Sequence, residues 1–366
     1  MTPSRWIVAL AALACAPKAP PPTLAEQLAV LDHGVRPVLP SPRSQTYART
    51  QATPRDPIVA TMMQGHRWDT GLAGAATIIA LDALQERGGL SRWELREALW
   101  AAGYPHPIDE ARIWSVPAGS TPDGELLEWL AKVPATADVG LVRARHSNTD
   151  AWVGLHATPD VDLGVQPRKA TTGMPLELPA IPGASYVVSD PSGALYDGSL
   201  DGAAKLLLTR AGEWLVLLLK EGKELARFPI FVDVPLPEQP LFRQEEGPTS
   251  IGSDAEAQQH LQRLLSLARK AYGLEPWDAT PLLDIATQNV AAGAELGASL
   301  AGVGLVSEQL VHWTCDDYSV EDCLDRWVWD PRRRKVLLDP GYDLAGVTVT
   351  LDPRGVHATV VVLDTP

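Results

Sequence analysis

Cys315 and Cys323 lie close together on either side of Asp316-Asp317-Tyr318-Ser319. In an oxidising compartment two such thiols close a disulfide, and the intervening Asp and Ser residues suit the turn it needs. Zinc is the weaker reading of the same pair, because no further His or Cys pair lies nearby at ligand spacing. His312 beside Cys315 suggests a thiol nucleophile with its base. That chemistry also needs an orienting Asn or Asp and an oxyanion hole, and no local signature supplies them. A His flanked by Trp313 on a half-apolar segment reads more simply as structural. No Gly-x-Ser-x-Gly elbow is present, and Gly302-Val303-Gly304 lacks the third glycine and the preceding strand of a phosphate loop.

Cys15 has a different chemistry. One positive charge at Arg5, an apolar run from Trp6 to Ala14 and small residues at Ala12 and Ala14 read as a signal peptide. Ala12-Leu13-Ala14-Cys15 resembles a lipobox, with Ala12 where a larger aliphatic residue is usual, so lipidation of Cys15 is expected. A diacylglycerol thioether and an amide-linked chain together give stable attachment to a membrane. Ala16 is not the Asp that retains lipoproteins at an inner membrane, which points to the outer one. From residue 15 to about 60 the prolines (among them Pro20, Pro21, Pro22, Pro40 and Pro42) predict an extended tether, with one short helix over Leu24 to Val35.

Acidic residues number 45 against 31 basic ones, for a formal charge of −14. That excess argues against nucleic acid and against electrostatic docking on anionic lipid. Tryptophan is in excess, with 12 in 366 residues. Trp68, Trp93, Trp100, Trp114, Trp129, Trp152 and Trp214 read as packing anchors. A carbohydrate-stacking platform, if one exists, is expected at Trp327 and Trp329, which share a face only if that stretch is extended.

Three segments follow the tether. In the first, residues 61–160, apolar and small residues recur on a helical period over Leu72 to Gln85. Ser91 with Glu94 forms a capping box for a second helix to Ala102, and Gly124 to Lys132 reads as a third. Two strands, Val139 to Arg143 and Ala151 to His156, close the segment. The second, residues 172–237, has short apolar runs separated by turn signals and reads as a small immunoglobulin-like antiparallel β-sandwich. The third, residues 253–366, has a helix capped by Asp254, another after Thr280-Pro281, a third over about Ser319 to Trp329, and a closing hairpin of Gly346 to Leu351 and His357 to Leu363. The first and third segments share an order of elements. Trp68-Asp69 and Trp277-Asp278 each open a helix, and the two hairpins are equally spaced, so a divergent internal repeat is expected.

Within the third segment, Arg269-Lys270-Ala271-Tyr272-Gly273-Leu274-Glu275-Pro276, Leu282 with Ala286, Ser307-Glu308-Gln309-Leu310, Trp327 to Arg334 with Val336-Leu337-Leu338, and Gly346-Val347-Thr348-Val349 stand in the order of a known motif series. That series resembles the bacterial form of the CAP superfamily (cysteine-rich secretory proteins, antigen 5, pathogenesis-related 1), over about 110 residues. The first segment resembles it more weakly. The resemblance implies an α+β fold, with two CAP-like α-β-α sandwich units, the first reduced, flanking the β-sandwich.

It further implies an open cavity where two His and two Glu can hold a divalent metal. Here Arg333 stands where the motif has His, and a guanidinium has no lone pair for a metal. No His lies between Thr280 and Val311 to serve as the other cavity histidine. Neither a metal nor another cofactor is therefore expected. Glu308 and Glu321 remain as cavity acids, and Arg333 is expected to pair with one of them, Glu308 first, unless the basic run Arg332 to Lys335 is merely solvated. The expected function is that of a non-catalytic envelope lipoprotein binding a protein, glycan or lipid. A hydrolase using the cavity carboxylates on a peptide or ester is the alternative.

Overall fold

The computed structural model describes residues 44–84, 92–237, 251–305, 307, 309–353 and 355–364, in an α+β arrangement. The predicted Leu24–Val35 helix and Ser91 lie outside them. The chain enters with β1 (Thr46–Tyr47) and α1 (Pro57–Met62), whose first turn is capped by Asp56 with Pro57 at its start. The spacer reading therefore needs correcting from residue 44 onward. Tyr47 is wholly buried, its ring centroid 5.0 Å from that of Phe228. One aromatic side chain removed from water outweighs the local proline content.

β2 (Arg67–Trp68) leads into α2 (Thr70–Leu84) and α3 (Arg92–Ala101), followed by β3 (Glu110–Pro117), α4 (Asp123–Lys132), β4 (Asp138–His146) and β5 (Thr149–Ala157). Asp69 caps α2, its Oδ1 accepting from Gly71 N at 2.8 Å and Leu72 N at 3.0 Å. The strands order as β2-β4-β5-β3. Successive residues of a strand face opposite sides, so Gly140 on β4 and Gly154 on β5 report the two faces. An added Cβ at Gly140 would lie 2.3 Å from the Leu72 backbone of α2, and one at Gly154 would lie 2.8 Å from the Trp129 ring of α4. Helices thus cover both sides of the sheet. Gly103, which ends α3 with φ +84°, has no room for a side chain either, because Ser44 and Thr46 pass close by.

The middle of the chain contributes β6 (Gln166–Pro167), β7 (Lys169–Ala170), β8 (Pro175–Leu178), β9 (Ala184–Ser189), β10 (Leu195–Ser199), β11 (Ala204–Leu207), β12 (Gly212–Lys220) and β13 (Lys223–Val232). They form a five-stranded sheet β10-β9-β12-β13-β7 and a two-stranded sheet β11-β8, while β6 pairs with β1. Alternate residues of β12 and β13, such as Trp214, Val216, Leu218, Phe228 and Ile230, fill the core.

The last part holds α5 (Asp254–Ala271), α6 (Pro281–Ala291), α7 (Leu296–Gly302), β14 (Leu310–Asp317), α8 (Val320–Val328), α9 (Pro331–Leu337), β15 (Leu344–Asp352) and β16 (Gly355–Leu363). The N-cap of α5 is Ser253 and not Asp254, whose carboxylate instead accepts from Leu351 N at 2.9 Å. The strands order as β14-β16-β15. This is the arrangement of β3-β5-β4, and the hairpin registers correspond: Val142 faces Val153 as Thr348 faces Thr359. Gly346 repeats the role of Gly140, with Leu283 and Thr287 of α6 against it. The order helix pair, strand, helix, hairpin therefore occurs twice, with α9 as an additional helix before the second hairpin.

In the second copy a disulfide between Cys315 and Cys323 ties the edge strand β14 to α8, with Cα atoms 5.7 Å apart. In the first copy the edge strand β3 meets α4 through Trp114 and Trp129, rings edge to face at 5.7 Å. The lone His312-Trp313 stretch lies on β14, where His312 is exposed and Trp313 buried. Trp327 and Trp329 are both buried in helical surroundings, which rules them out as a sugar-stacking platform.

Candidate functional site

The amphipathic stripe of α5, Ala257, His260, Leu261, Leu264, Leu265 and Ala268, turns His260 into the protein. Ser319 caps α8, and Glu321 in its first turn faces His260. His260 Nε2 lies 2.6 Å from Glu321 Oε1, with the two side chains 5% and 16% exposed. Arg263 Nη2 lies 3.1 Å from His260 Nδ1. A guanidinium only donates, so Nδ1 accepts and Nε2 carries the proton given to Glu321. Burial pushes the Glu321 carboxyl up, but the hydrogen bonds from His260, its own main-chain N–H and Ser319, with the charge of His260, together hold the group below its ordinary range. Both ring nitrogens are occupied, and the carboxylate is committed to a partner.

The other predicted cavity residues are placed differently. Glu308 lies outside the described residues. Arg333 is half-buried in the first turn of α9, near Asp330 and Arg326. Burial lowers its pKa, and Asp330 opposes that. Its Nη1 is buried without a hydrogen-bond partner, and among the described residues no ion pair joins it to Glu321. Among the described residues, no three His, Cys, Asp or Glu side chains converge as metal ligands do.

The neighbouring Arg334 is the more deeply committed residue. Its guanidinium sits 4.8 Å from the Tyr272 ring centre and 5.3 Å from that of Trp329, and pairs with Glu213 of β12 at 3.1 Å. Sequence reasoning missed it, and missed His260, although the helical spacing of His260 with Leu261, Leu264 and Ala268 carried the signal.

A second polar centre joins all three segments. Arg96 of α3 contacts Asp325 of α8 through Nη2 at 3.0 Å and Glu224 of β13 through Nη1 at 2.9 Å. Glu224 in turn pairs with Arg227. Burial opposes the charge on Arg96, but the two carboxylates more than restore it. Beside it Trp100 stacks edge-on against Trp329 at 4.7 Å and donates to Arg227 O at 2.6 Å. This centre is closed and structural.

An open groove of about 540 Å³ runs along β3, lined by residues 113–116 and by Pro122, Gly124 and Glu125 at the start of α4. Its size is that of a ligand site, roughly 300–1,000 Å³. Ile113 is 41% exposed there.

No family model matches the sequence, and no curated protein does. Among solved structures, the chain is similar to a cysteine-rich secretory protein from Staphylococcus aureus, 14% identical with TM-score 0.28, over 42% of this chain and 56% of that one. The chain thus spans little more than half of that protein. An extracellular protein containing a SCP domain from Bacillus anthracis is 12% identical with TM-score 0.27, over 77% of this chain and 95% of its own. An outer surface protein from Borrelia burgdorferi is 12% identical with TM-score 0.25, over 30% and 92%. Among the described residues no helix is long and apolar enough to cross a membrane.

Proposed function

We propose that this chain is an exported envelope lipoprotein, anchored through Cys15, whose two CAP-type units flank a β-sandwich and act together as a binding module for a protein, glycan or lipid. The observation that carries the non-catalytic reading is the His260–Glu321 hydrogen bond, 2.6 Å long and largely buried. A general acid or base must keep a proton site available to substrate at a suitable pKa. Glu321 has its oxygen occupied and its pKa lowered. The motif series from Trp327 to Val349 supports the CAP-type assignment, and Arg333 in place of a histidine supports the loss of a metal. The Ala12-Leu13-Ala14-Cys15 motif supports the anchor, and Ala16 supports sorting to the outer membrane.

The test has two arms. Cys15→Ala in the full precursor is expected to move the protein from the membrane fraction to the soluble one; unchanged fractionation would remove the lipoprotein reading. The mature chain is expected to turn over no member of a broad peptide and ester panel. Turnover lost in Glu321→Gln with unchanged melting would replace the binding reading by a hydrolase.

A further inference from the structure

β3 is an edge of its sheet, and the polar groups along that edge can be assigned residue by residue. Ala118 N donates to Asn148 O at 2.8 Å, one step beyond the Pro117–Thr149 pair. In an antiparallel ladder, pairs that exchange hydrogen bonds alternate with pairs that do not. Residues 110, 112, 114 and 116 therefore turn their main-chain groups toward β5, and Ala111, Ile113 and Ser115 turn theirs away. Among the described residues, none of these outward main-chain groups bonds to another main-chain group outside the ladder. Pro117 falls on the outward side, where a strand can lose its N–H without breaking the ladder. It limits the open edge to Ala111 through Ser115.

Against this edge lies the groove, with the first turn of α4 as its far wall. Free main-chain donors and acceptors in strand register are matched by another extended main chain and by little else. The slot is bounded by a helix of the same chain, so it suits a single strand. A second copy pairing edge to edge would have to bring its own α4 into the same space. Ile113, exposed on the face beyond the reach of α2, offers an apolar contact. Glu125 is the charged residue among those lining the groove, while Arg112 at the strand is already paired with Glu110 at 2.6 Å. The chain as a whole carries −14.

We infer that the groove along β3 takes an extended, lysine- or arginine-bearing peptide segment of a partner protein, added as a further strand beside Ala111, Ile113 and Ser115. This deepens the binding reading above and rests on it, naming the partner class and the surface.

The experiment uses the full mature chain and two acetylated, amidated probe peptides, Lys-Val-Thr-Val-Thr-Val-Lys and the same sequence with Glu at both ends. Amide hydrogen exchange is read by NMR. The Lys-ended peptide at millimolar concentration is expected to slow exchange at Ala111, Ile113 and Ser115 by about tenfold or more, and the Glu-ended one to do so less. Ser115→Pro, which removes an outward N–H, should abolish the slowing without changing the melting temperature. Glu125→Lys, outside the strand and the core, should reverse the preference between the peptides. Absence of slowing at these three amides with both peptides overturns the proposal. So does slowing that survives Ser115→Pro, or slowing in the free protein that vanishes on dilution, which would assign the edge to a second copy. None of these failures touches the hydrolase panel, so the binding reading would stand with its surface elsewhere.

Discussion

Arg96 lies along the carboxylate of Asp325, Nε 3.1 Å from each oxygen and Nη2 3.0 Å from Oδ2, so that the second helix of the first copy is held to the last helical layer of the second. Glu224 of β13 takes the remaining donor at 2.9 Å. The guanidinium therefore sits where the two copies and the intervening sheet meet.

Removing one member of this centre leaves the other charges buried. Arg96→Ala is expected to destabilise the chain by about 3 kcal/mol, the lower end of the range for breaking a buried pair, since the guanidinium is 20% exposed. Asp325→Asn should lose less, because its amide oxygen can still accept. Urea melts of both single variants and the double variant give the coupling, expected at about 1–3 kcal/mol. Additive losses would show that the contact carries no energy.

The Asp69 carboxyl, sealed between Thr50, Gly71 and Leu72, is pushed up to about 6, first by burial, with Asp138 adding to it. Its unfolded value is near the usual ~3.9. The folded state therefore binds more protons than the unfolded state between these two values. This group stabilises the fold increasingly as pH falls from about 6 toward about 4, by on the order of 2 kcal/mol in total. Asp69→Asn removes that dependence. The measurement is the difference in unfolding free energy between wild type and variant at pH 4.5 and pH 7, and a difference that does not change with pH would contradict the assignment.

Gly140 and Gly346 are the contact points at which each hairpin meets its helix. A methyl group would lie 2.3 Å from backbone at Gly140, and 2.3 Å from Thr287 Oγ1 and 2.7 Å from Leu283 O at Gly346. Gly140→Ala and Gly346→Ala are each expected to cost about 3 kcal/mol, at the upper end of overpacking losses, with Gly140→Ala the worse because its closest clash is with main chain, whereas at Gly346 the closest atom is a side-chain hydroxyl and the main chain lies farther off. Thermal melts check this. Gly202→Ala, with open space around it, should change nothing by comparison.

Some of this was written locally. The starts of α6 and α8, the turn between β15 and β16 and the two equal hairpins each depend on residues a few positions apart, and the one-sided burial of a helix or strand leaves its period in the chain. The strands β3 and β14 were not legible. Lying at sheet edges, they alternate buried with exposed positions only over short stretches, Ile113 to Pro117 in β3 and His312 to Asp316 in β14, and their neighbours as much as their composition make them strands.

The sequence by itself determined the local elements and the duplicated order, because these are properties of short windows and of their repetition. Only the tertiary structure decided that Glu321 belongs to His260, that Arg334 rather than Arg333 is locked against Glu213, that residues 44–60 belong to the fold, and that β3 borders a groove. Arg96 and Asp325 stand 229 positions apart. No spacing rule links residues so distant; charged groups find one another only after burial of the surrounding apolar side chains has fixed the path of the chain between them.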